Sequence, residues 1–418
     1  MYTINARYDP IEKVIDNIRD SYIVIGIPSR NVEHTITYVL HNVVLGLKKY
    51  YEGIKSSIIV CDGLSTDNTV DIVNVYRRQK KIPISIIPNT VSKGKGGAIK
   101  LIVDLVAKYS IAESLIFLDS DLRSITPEWI ALMVEGTRRC GFVTPYYDRH
   151  KYDATITNFM ARPLTVMAYG LDINQPIGGD FGLNTDFIKV MTMDELWNNN
   201  PWSLFFGVDI FLTHTALAYG IKVCEAYLKT KIHEAKDPAE ELKNMFIEVT
   251  GSLYTSLIEY SEKWTRMEKY SIDKPPLINR PEPLATNPLP VKVSIENAKL
   301  KLIQGLHQNK LVYKKIIPEN IMIKLYRRET IDLGIDRDLW LEIIYYSFKY
   351  FIKEPRLSLR KKMLESLFYL WQGRLYNFYR ETLDKSDEES YGIIRDEAME
   401  MFKRRSVFVE LVKEYIDY

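Results

Sequence analysis

Four short apolar runs, each followed by a polar turn, constrain the fold of this chain more than any other feature. Tyr22 to Ile27 stops at Pro28, and Ser57 to Cys61 stops at the turn Asp62-Gly63-Leu64-Ser65-Thr66-Asp67-Asn68-Thr69. Ile82 to Ile87 is a third run, and Ser114 to Leu118 opens into Asp119-Ser120-Asp121. Runs that are apolar throughout, rather than alternating, fit strands buried on both faces, as in a parallel sheet. Helical periodicity fills the gaps, from about Glu33 to Lys49, from the Asp67 turn to about Gln79, and from Lys95 to Lys108. Repeated strand–helix–strand units predict right-handed crossovers and a Rossmann-like, doubly wound, mostly parallel α/β sheet. Ligands of such sheets bind beyond the carboxyl ends of the strands, where the turns after Ile27, Cys61 and Leu118 all lie.

The stretch from about 140 to 235 mixes short strands with glycine turns, and from about Ala239 the pattern is mostly helical. A proline-rich connection, Asn279 to Pro290, interrupts that half. With 418 residues the chain is too long for one compact domain of ordinary size. The expected division is an α/β domain over 1–240 and a helical domain over 241–418. The 56 Lys and Arg against 54 Asp and Glu leave a net charge of +2, a field too weak for a typical nucleic-acid binder. No stretch reaches the length of an uncharged membrane span, and the charged N-terminus (Asp9, Glu12, Lys13, Asp16) does not read as a signal peptide. Cys61, Cys140 and Cys224 are far apart and lack metal or redox spacing, which fits a reducing cytoplasmic setting. The tyrosine, isoleucine and lysine content hints at a thermophile.

Asp119-Ser120-Asp121 is the strongest local signal. In extended chain, residues two apart share a face, so two carboxylates can approach one hard cation, Mg²⁺ or Mn²⁺. The plain alternative is a solvated turn after a strand. Gly94-Lys95-Gly96-Gly97 is the second signal: its glycines permit close backbone approach, and a helix starting there would offer free N–H groups to a phosphate, beside the charge of Lys95. Asp62, at a strand end, could accept from a base N–H, whereas Asp67 reads as a helix cap. His233 could complete an Asp/His coordination shell, but on its own it reads as a surface or cap histidine. The loop Gln175-Pro176-Ile177-Gly178-Gly179-Asp180 implies close backbone approach to a ligand or a strand. Asp209, in Phe206-Gly207-Val208-Asp209, is either a buried acid or a cap. Trp340, Tyr345, Phe368 and Trp371 read as core or dimer surface rather than chemistry.

Together these motifs resemble the GT-A family of glycosyltransferases. "VIGIPSRNVEHTI" and "VCDGLSTDNTVDIV" are similar to that family's first two strand ends, and "SKGKGGAI" followed by "LDSDL" keeps its order. "QPIGGDFGLN" and "FFGVDIFLTHTALAYGIKVCEAYLKTKIHEA" narrow the resemblance to retaining enzymes that glycosylate glycerate and, more distantly, 3-phosphoglycerate. The resemblance implies a GT-A fold; the helical domain is expected to close the acceptor side, and the expected assembly is a homodimer with no nucleic-acid or membrane partner. It implies Pro28, Glu33, Asp62, Lys95, Asp119, Ser120, Gly178 and Gly179 at a nucleoside diphosphate sugar. It implies Asp121 and His233 as metal ligands with Asp119 assisting, and Asp209, Asp180 and Lys95 near the reacting centre. "RHKYDATIT" resembles the glycerate pocket, which implies Arg149, Asp153, Ala154 and Thr157 at the acceptor. A guanidinium fork suits a carboxylate, so the chemistry agrees. The implied reaction moves mannose or glucose, from a donor such as GDP-mannose or UDP-glucose, to D-glycerate, giving a charged compatible solute.

Two departures from the family pattern matter. A glycine-rich Arg-Val-Thr segment for an acceptor phosphate is absent, which favours unphosphorylated glycerate. "EAKDPAEE" replaces the Arg-Leu-Tyr that follows the metal histidine in the family, which leaves the lid contact and donor sugar open. Alternatives are a 3-phosphoglycerate or lipid-phosphate acceptor, a nucleotidyltransferase, and a nucleotide-binding scaffold without catalysis. The nucleotidyltransferase reading lacks the usual glycine-rich loop after the first strand.

Overall fold

The computed structural model describes residues 7–78, 80–232, 242–268, 270–284 and 287–415. Eight strands form one sheet: β1 (Ile23–Ser29), β2 (Ser56–Asp62), β3 (Ile84–Pro88), β4 (Ser114–Phe117), β5 (Phe142–Asp148), β6 (Phe181–Asn184), β7 (Val223–Thr230) and β8 (Leu277–Ile278). Their order is β3-β2-β1-β4-β6-β5-β7-β8. Only β6 runs antiparallel to its neighbours, β4 and β5. Every residue of β1 and β2 is buried, as the unbroken apolar runs predict for strands covered on both faces. The helices Ile36–Tyr50, Thr69–Arg77 and Lys95–Tyr109 cross between the parallel strands. Val39, Leu40, Val43 and Leu47 of the first join Ile25, Ile58 and Ile116 in the core. Each such buried side chain contributes roughly 1.5–3 kcal/mol. The α/β, doubly wound, mostly parallel architecture is therefore the one the sequence implies.

The sheet order reverses at β1, between β2 and β4, so the carboxyl ends of β1 and β4 flank the crevice where ligands of open α/β sheets bind.

Contacts divide the chain into two compact units, but not at residue 240. One takes the described residues within Met1–Arg149, Ile173–Glu234 and Lys274–Leu289, and the other those within His150–Asp172, Ala235–Asp273 and Pro290–Tyr418. The proline-rich connection thus falls largely in the sheet unit, because β8 adds to β7 in parallel. The segment 150–172 falls in the helical unit for an equally local reason. Trp340 Nε1 donates to Phe159 O at 3.0 Å, and the Arg405 guanidinium, 8% exposed, donates to Met167 O and Ala168 O. In that unit the ring of Phe246 stacks on Trp371 at 4.8 Å and Arg374 pairs with Glu397 at 2.7 Å, both nearly without solvent contact. Trp340, Phe368 and Trp371 are core, while Tyr345 is half-buried.

The cysteine reading needs correction. Cys140 and Cys224 form a disulfide with Cα atoms 5.9 Å apart, leaving buried Cys61 as the free thiol. The parallel pairing of β5 with β7 sets Val143 beside Cys224, an adjacency that spacing along the chain does not reveal. Among the described residues no helix is long and apolar enough to cross a membrane.

Candidate functional site

At the end of β4 the chain turns through Asp119, and two lysines close on that carboxylate from different elements. Lys95, the first residue of helix Lys95–Tyr109, places Nζ 2.7 Å from Asp119 Oδ1, 3.2 Å from Asp209 Oδ1 and 3.0 Å from Gly179 O. Lys231, just past β7, places Nζ 2.7 Å from Asp119 Oδ2, 2.9 Å from Asp180 Oδ2 and 2.9 Å from Gly178 O. An ammonium has three protons, and Lys231 has a hydrogen-bond acceptor for each of them, whereas Asp209 Oδ1 meets Lys95 only at ion-pair distance. Tyr147 on β5 donates its hydroxyl to Asp180 Oδ2, and the Asp119 N–H donates to Asp180 Oδ1 at 2.8 Å. The Arg149 guanidinium lies 4.9 Å from the Tyr147 ring centroid, a cation–π distance.

Burial and charge work against each other throughout this cluster. Burial pushes the Asp119 carboxyl up, but the ammonium groups of Lys231 and Lys95 outweigh it and hold the group well below the usual carboxylate range. Burial likewise opposes the charge of Lys95 and Lys231, yet the carboxylates of Asp119 with Asp209, and of Asp119 with Asp180, keep both lysines above their ordinary value. Asp209 ends the other way: burial raises it, and the pull of Lys95 does not fully compensate. Burial and Asp180 push the Tyr147 hydroxyl far up, so it stays a proton donor.

Lys231 was not among the residues singled out from sequence. The available signal was its place just past a strand-like run, where polar side chains of an open α/β sheet can face the ligand crevice. A register shift between Tyr146 and Tyr147, opposite Lys229 with its φ of 62°, breaks the regular alternation just before Lys231.

Several expectations change against this geometry. Asp119 is not a free partner of Asp121 for one cation, because both of its oxygens are already paired with lysines. Asp180 is fully buried with both oxygens hydrogen-bonded, so its carboxylate is spent inside the protein rather than facing a sugar. The helix start at Gly94 offers no free phosphate cradle: Gly96 N donates to Phe205 O at 3.3 Å and Gly97 N to Leu204 O at 3.0 Å. Those glycines serve backbone-on-backbone packing, since a Cβ on Gly96 would stand 1.9 Å from Ser203 O. Asp62 is also fully buried and accepts from Tyr8 Oη, Ser65 N, Ser65 Oγ and Ser29 Oγ. Glu33 Oε2 accepts from Asn68 N and Nδ2, and Asp67 takes the Thr69 and Glu33 amides, so this pair ties the β1 and β2 loops together. Pro28 is buried in β1 opposite Cys61.

Asp121, by contrast, receives no hydrogen bond or ion pair from the described residues, and it is half-exposed in the turn beyond Ser120. Ser120 O accepts from Thr35 Oγ1 at 2.9 Å, which fixes that turn. Arg123 N donates to Ile232 O, and Ile232 N donates to Ser124 Oγ, so the chain at residue 232 runs beside the same turn. His233 lies outside the described residues. A hard divalent cation prefers oxygen ligands. Asp121 offers it one available carboxylate, while Asp119 offers none without displacing a lysine; among the described residues no group of three His, Cys, Asp or Glu side chains forms a ligand set. Gly179 has φ 89°, and a Cβ there would stand 2.2 Å from Asp119 Oδ2, so the Gly178-Gly179 turn lies directly on the acid. Arg149 belongs to the sheet unit; Asp153, Ala154 and Thr157 belong to the helical unit. There Ala154 takes a φ of 54° and Thr157 opens a π-helical turn, Thr157–Ala161, two irregularities common at functional segments.

A doubly wound sheet with an acidic turn at the end of β4, bracketed by lysines at the strand-order reversal, defines a GT-A domain. The family model described as mannosylglycerate synthase, GT domain, matches residues 20–255, and the chain belongs to that family. A mannosylglycerate synthase from Rhodothermus marinus is 24% identical over 213 residues, which is 47% of this chain and 52% of the relative. The chain therefore spans about half the length of the curated relative it matches. Among solved structures, glucosyl-3-phosphoglycerate synthase from Mycobacterium tuberculosis in complex with phosphoglyceric acid aligns with a TM-score of 0.44 and 19% identity, over 60% of this chain and 85% of that one. The same enzyme with Mn²⁺, uridine-diphosphate-glucose and phosphoglyceric acid gives 0.44 and 19%, over 60% and 84%.

Proposed function

We propose that this chain is a retaining, divalent-metal-dependent hexosyltransferase that moves mannose or glucose from a nucleoside diphosphate sugar to a hydroxyl of D-glycerate. The observation that carries the reading is the acidic turn after β4, with Asp119 held between Lys95 and Lys231 and Asp121 left available. Membership of the mannosylglycerate synthase GT-domain family supports the sugar and the acceptor. A departing nucleoside diphosphate needs preorganised positive charge in a partly dry site. Lys95, 14% exposed, is the lysine closer to solvent and would turn a proton toward a phosphate oxygen, while the Gly178-Gly179 turn, which it holds through Gly179 O, would lie beside the sugar. Asp121, with His233, would hold Mg²⁺ or Mn²⁺, which when bound supplies Lewis-acid stabilisation of the leaving diphosphate. Arg149 would grip the glycerate carboxylate as a fork, and Asp153, Ala154 and Thr157 remain acceptor candidates by resemblance. Asp180 is fully engaged and Asp209 is held by Lys95, so neither is poised as a nucleophile, and attack on the same face as the leaving group fits better.

The test is a panel of GDP-mannose and UDP-glucose against D-glycerate and 3-phosphoglycerate with Mn²⁺ or Mg²⁺, read by mass spectrometry and by the anomeric configuration of the product. Transfer to D-glycerate with retained configuration is expected, with loss on EDTA treatment and in Asp121→Ala. No transfer and no donor hydrolysis across the panel would turn the reading to a nucleotide-binding scaffold. A trapped glycosyl–Asp209 adduct would replace same-face attack with a two-step route.

A further inference from the structure

One carboxylate rarely needs two buried ammonium partners. Asp119 has them, one on each oxygen, and the two lysines reach it from elements more than a hundred residues apart in sequence. Their surroundings differ. Lys231 is the deeper of the two, its side chain 5% exposed, with every proton committed to Asp119, Asp180 or Gly178 O. Lys95 is 14% exposed, and its third partner, Asp209 Oδ1, stands at ion-pair distance without an aligned hydrogen bond. The lysines also hold consecutive carbonyls, Gly178 O and Gly179 O, so acid and turn form one rigid floor.

A buried carboxylate stripped of its only cation is strongly disfavoured. Were Lys95 the sole partner of Asp119, moving its ammonium to a phosphate would leave a bare buried charge, and Lys95 would stay locked on the acid. With Lys231 in place, Asp119 keeps a charge-assisted hydrogen bond whichever way Lys95 points. The lysine stem is long enough and flexible enough to make that swing.

We propose that Lys231 is a positioning residue that frees Lys95 for the donor: by keeping Asp119 and the Gly178-Gly179 turn paired, it lets the Lys95 ammonium leave the acid for a diphosphate oxygen. The inference rests on the donor site argued above, deepening it by assigning the two lysines different tasks, one fixed and one mobile.

The experiment is calorimetric titration of the full chain with UDP, GDP and ADP in the presence of Mn²⁺, alongside thermal melting. Wild-type protein that binds none of the three overturns the donor-site reading itself, and with it this inference. Given wild-type binding, the charge-neutral pair Lys231→Met/Asp180→Asn, which retains Lys95, is expected to weaken nucleoside diphosphate affinity about tenfold or more, the scale of one charge-assisted hydrogen bond. Lys231→Arg, which preserves the fixed charge, is expected to stay within about threefold of wild type. A folded neutral pair with wild-type affinity overturns the proposal. If the neutral pair does not fold, Lys231→Arg decides, because a folded Arg variant that loses tenfold or more overturns it and one that keeps its affinity supports it.

Discussion

Asp209 stands apart among the acids of the site because burial, not charge, decides its state. Its carboxyl is raised above the ordinary value of 3.8 although Lys95 is 3.2 Å away. Below that value the side chain is protonated in folded and unfolded chains alike, and the folded state bears no cost from it. As pH rises through the raised folded value, the charge must form in a buried place and the folded state loses stability relative to the unfolded one. Asn does not titrate. Asp209→Asn is therefore expected to melt above wild type near pH 7, with the gap closing toward about pH 4. An equal gap at both values, measured by scanning calorimetry, would show that the burial argument fails. The residue scale is also where sequence reading reached furthest and then stopped. Asp119 and Asp121 were legible because the apolar run Ser114 to Leu118 fixed where the strand ends. That Asp119 would be taken and Asp121 left available was not, since the deciding partner, Lys231, is a lone lysine after a strand whose regular register breaks opposite Lys229. Asp62 is legible as a polar residue at a strand end and Glu33 through the family resemblance, but their partners, Tyr8 and Asn68, belong to other segments and carry no pattern of their own.

Among the elements, the helix Lys95–Tyr109 shows how a motif with the right composition serves another purpose. Its glycines suggest room for a phosphate; the room is filled by the backbone of 203–205, where Leu204 O and Phe205 O take the Gly97 and Gly96 amides. That contact also fixes the approach to helix Val208–Ala218, and so the distance between Lys95 and Asp209. Gly96→Ala sets a methyl 1.9 Å from Ser203 O, a backbone atom that cannot rotate away. The expected cost is about 1–3 kcal/mol in chemical denaturation, the range of an overpacked core that forces the backbone to shift. A loss below about 0.5 kcal/mol would mean that the 203–205 segment yields easily. The parallel strands β1 to β4 and their crossover helices are legible within a few residues, because double-sided burial writes a continuous apolar run. Strands β5, β6 and β8 were not delineated. β6 runs against both neighbours over four residues, and β8 is two residues long in a proline-rich stretch, so neither offers a period to read.

For the whole molecule, what sequence could not give is which segments belong together. The expected boundary at residue 240 came from a change in periodicity, whereas the chain crosses between its two units five times. A fragment ending at residue 240 would carry the helix Arg162–Tyr169 without the Asp387–Lys403 helix that packs on it, and a sheet without β8. Such a fragment is expected to expose Leu164, Val166 and Met167, fully buried in the intact chain, to bind a hydrophobic dye and to lose a cooperative melt. A sharp, dye-free transition from that fragment would show that the sheet unit folds without the residues beyond 240. The same threading orders events on the ribosome. Residues 150–172 emerge early, yet the Arg405 guanidinium that binds Met167 O and Ala168 O is made 238 and 237 residues after those two carbonyls. The sheet unit can complete its strand set once β8 has left the exit tunnel. The helical unit must hold its first segment in waiting until the stretch that carries Arg405 has also emerged, so its assembly trails that of the sheet unit.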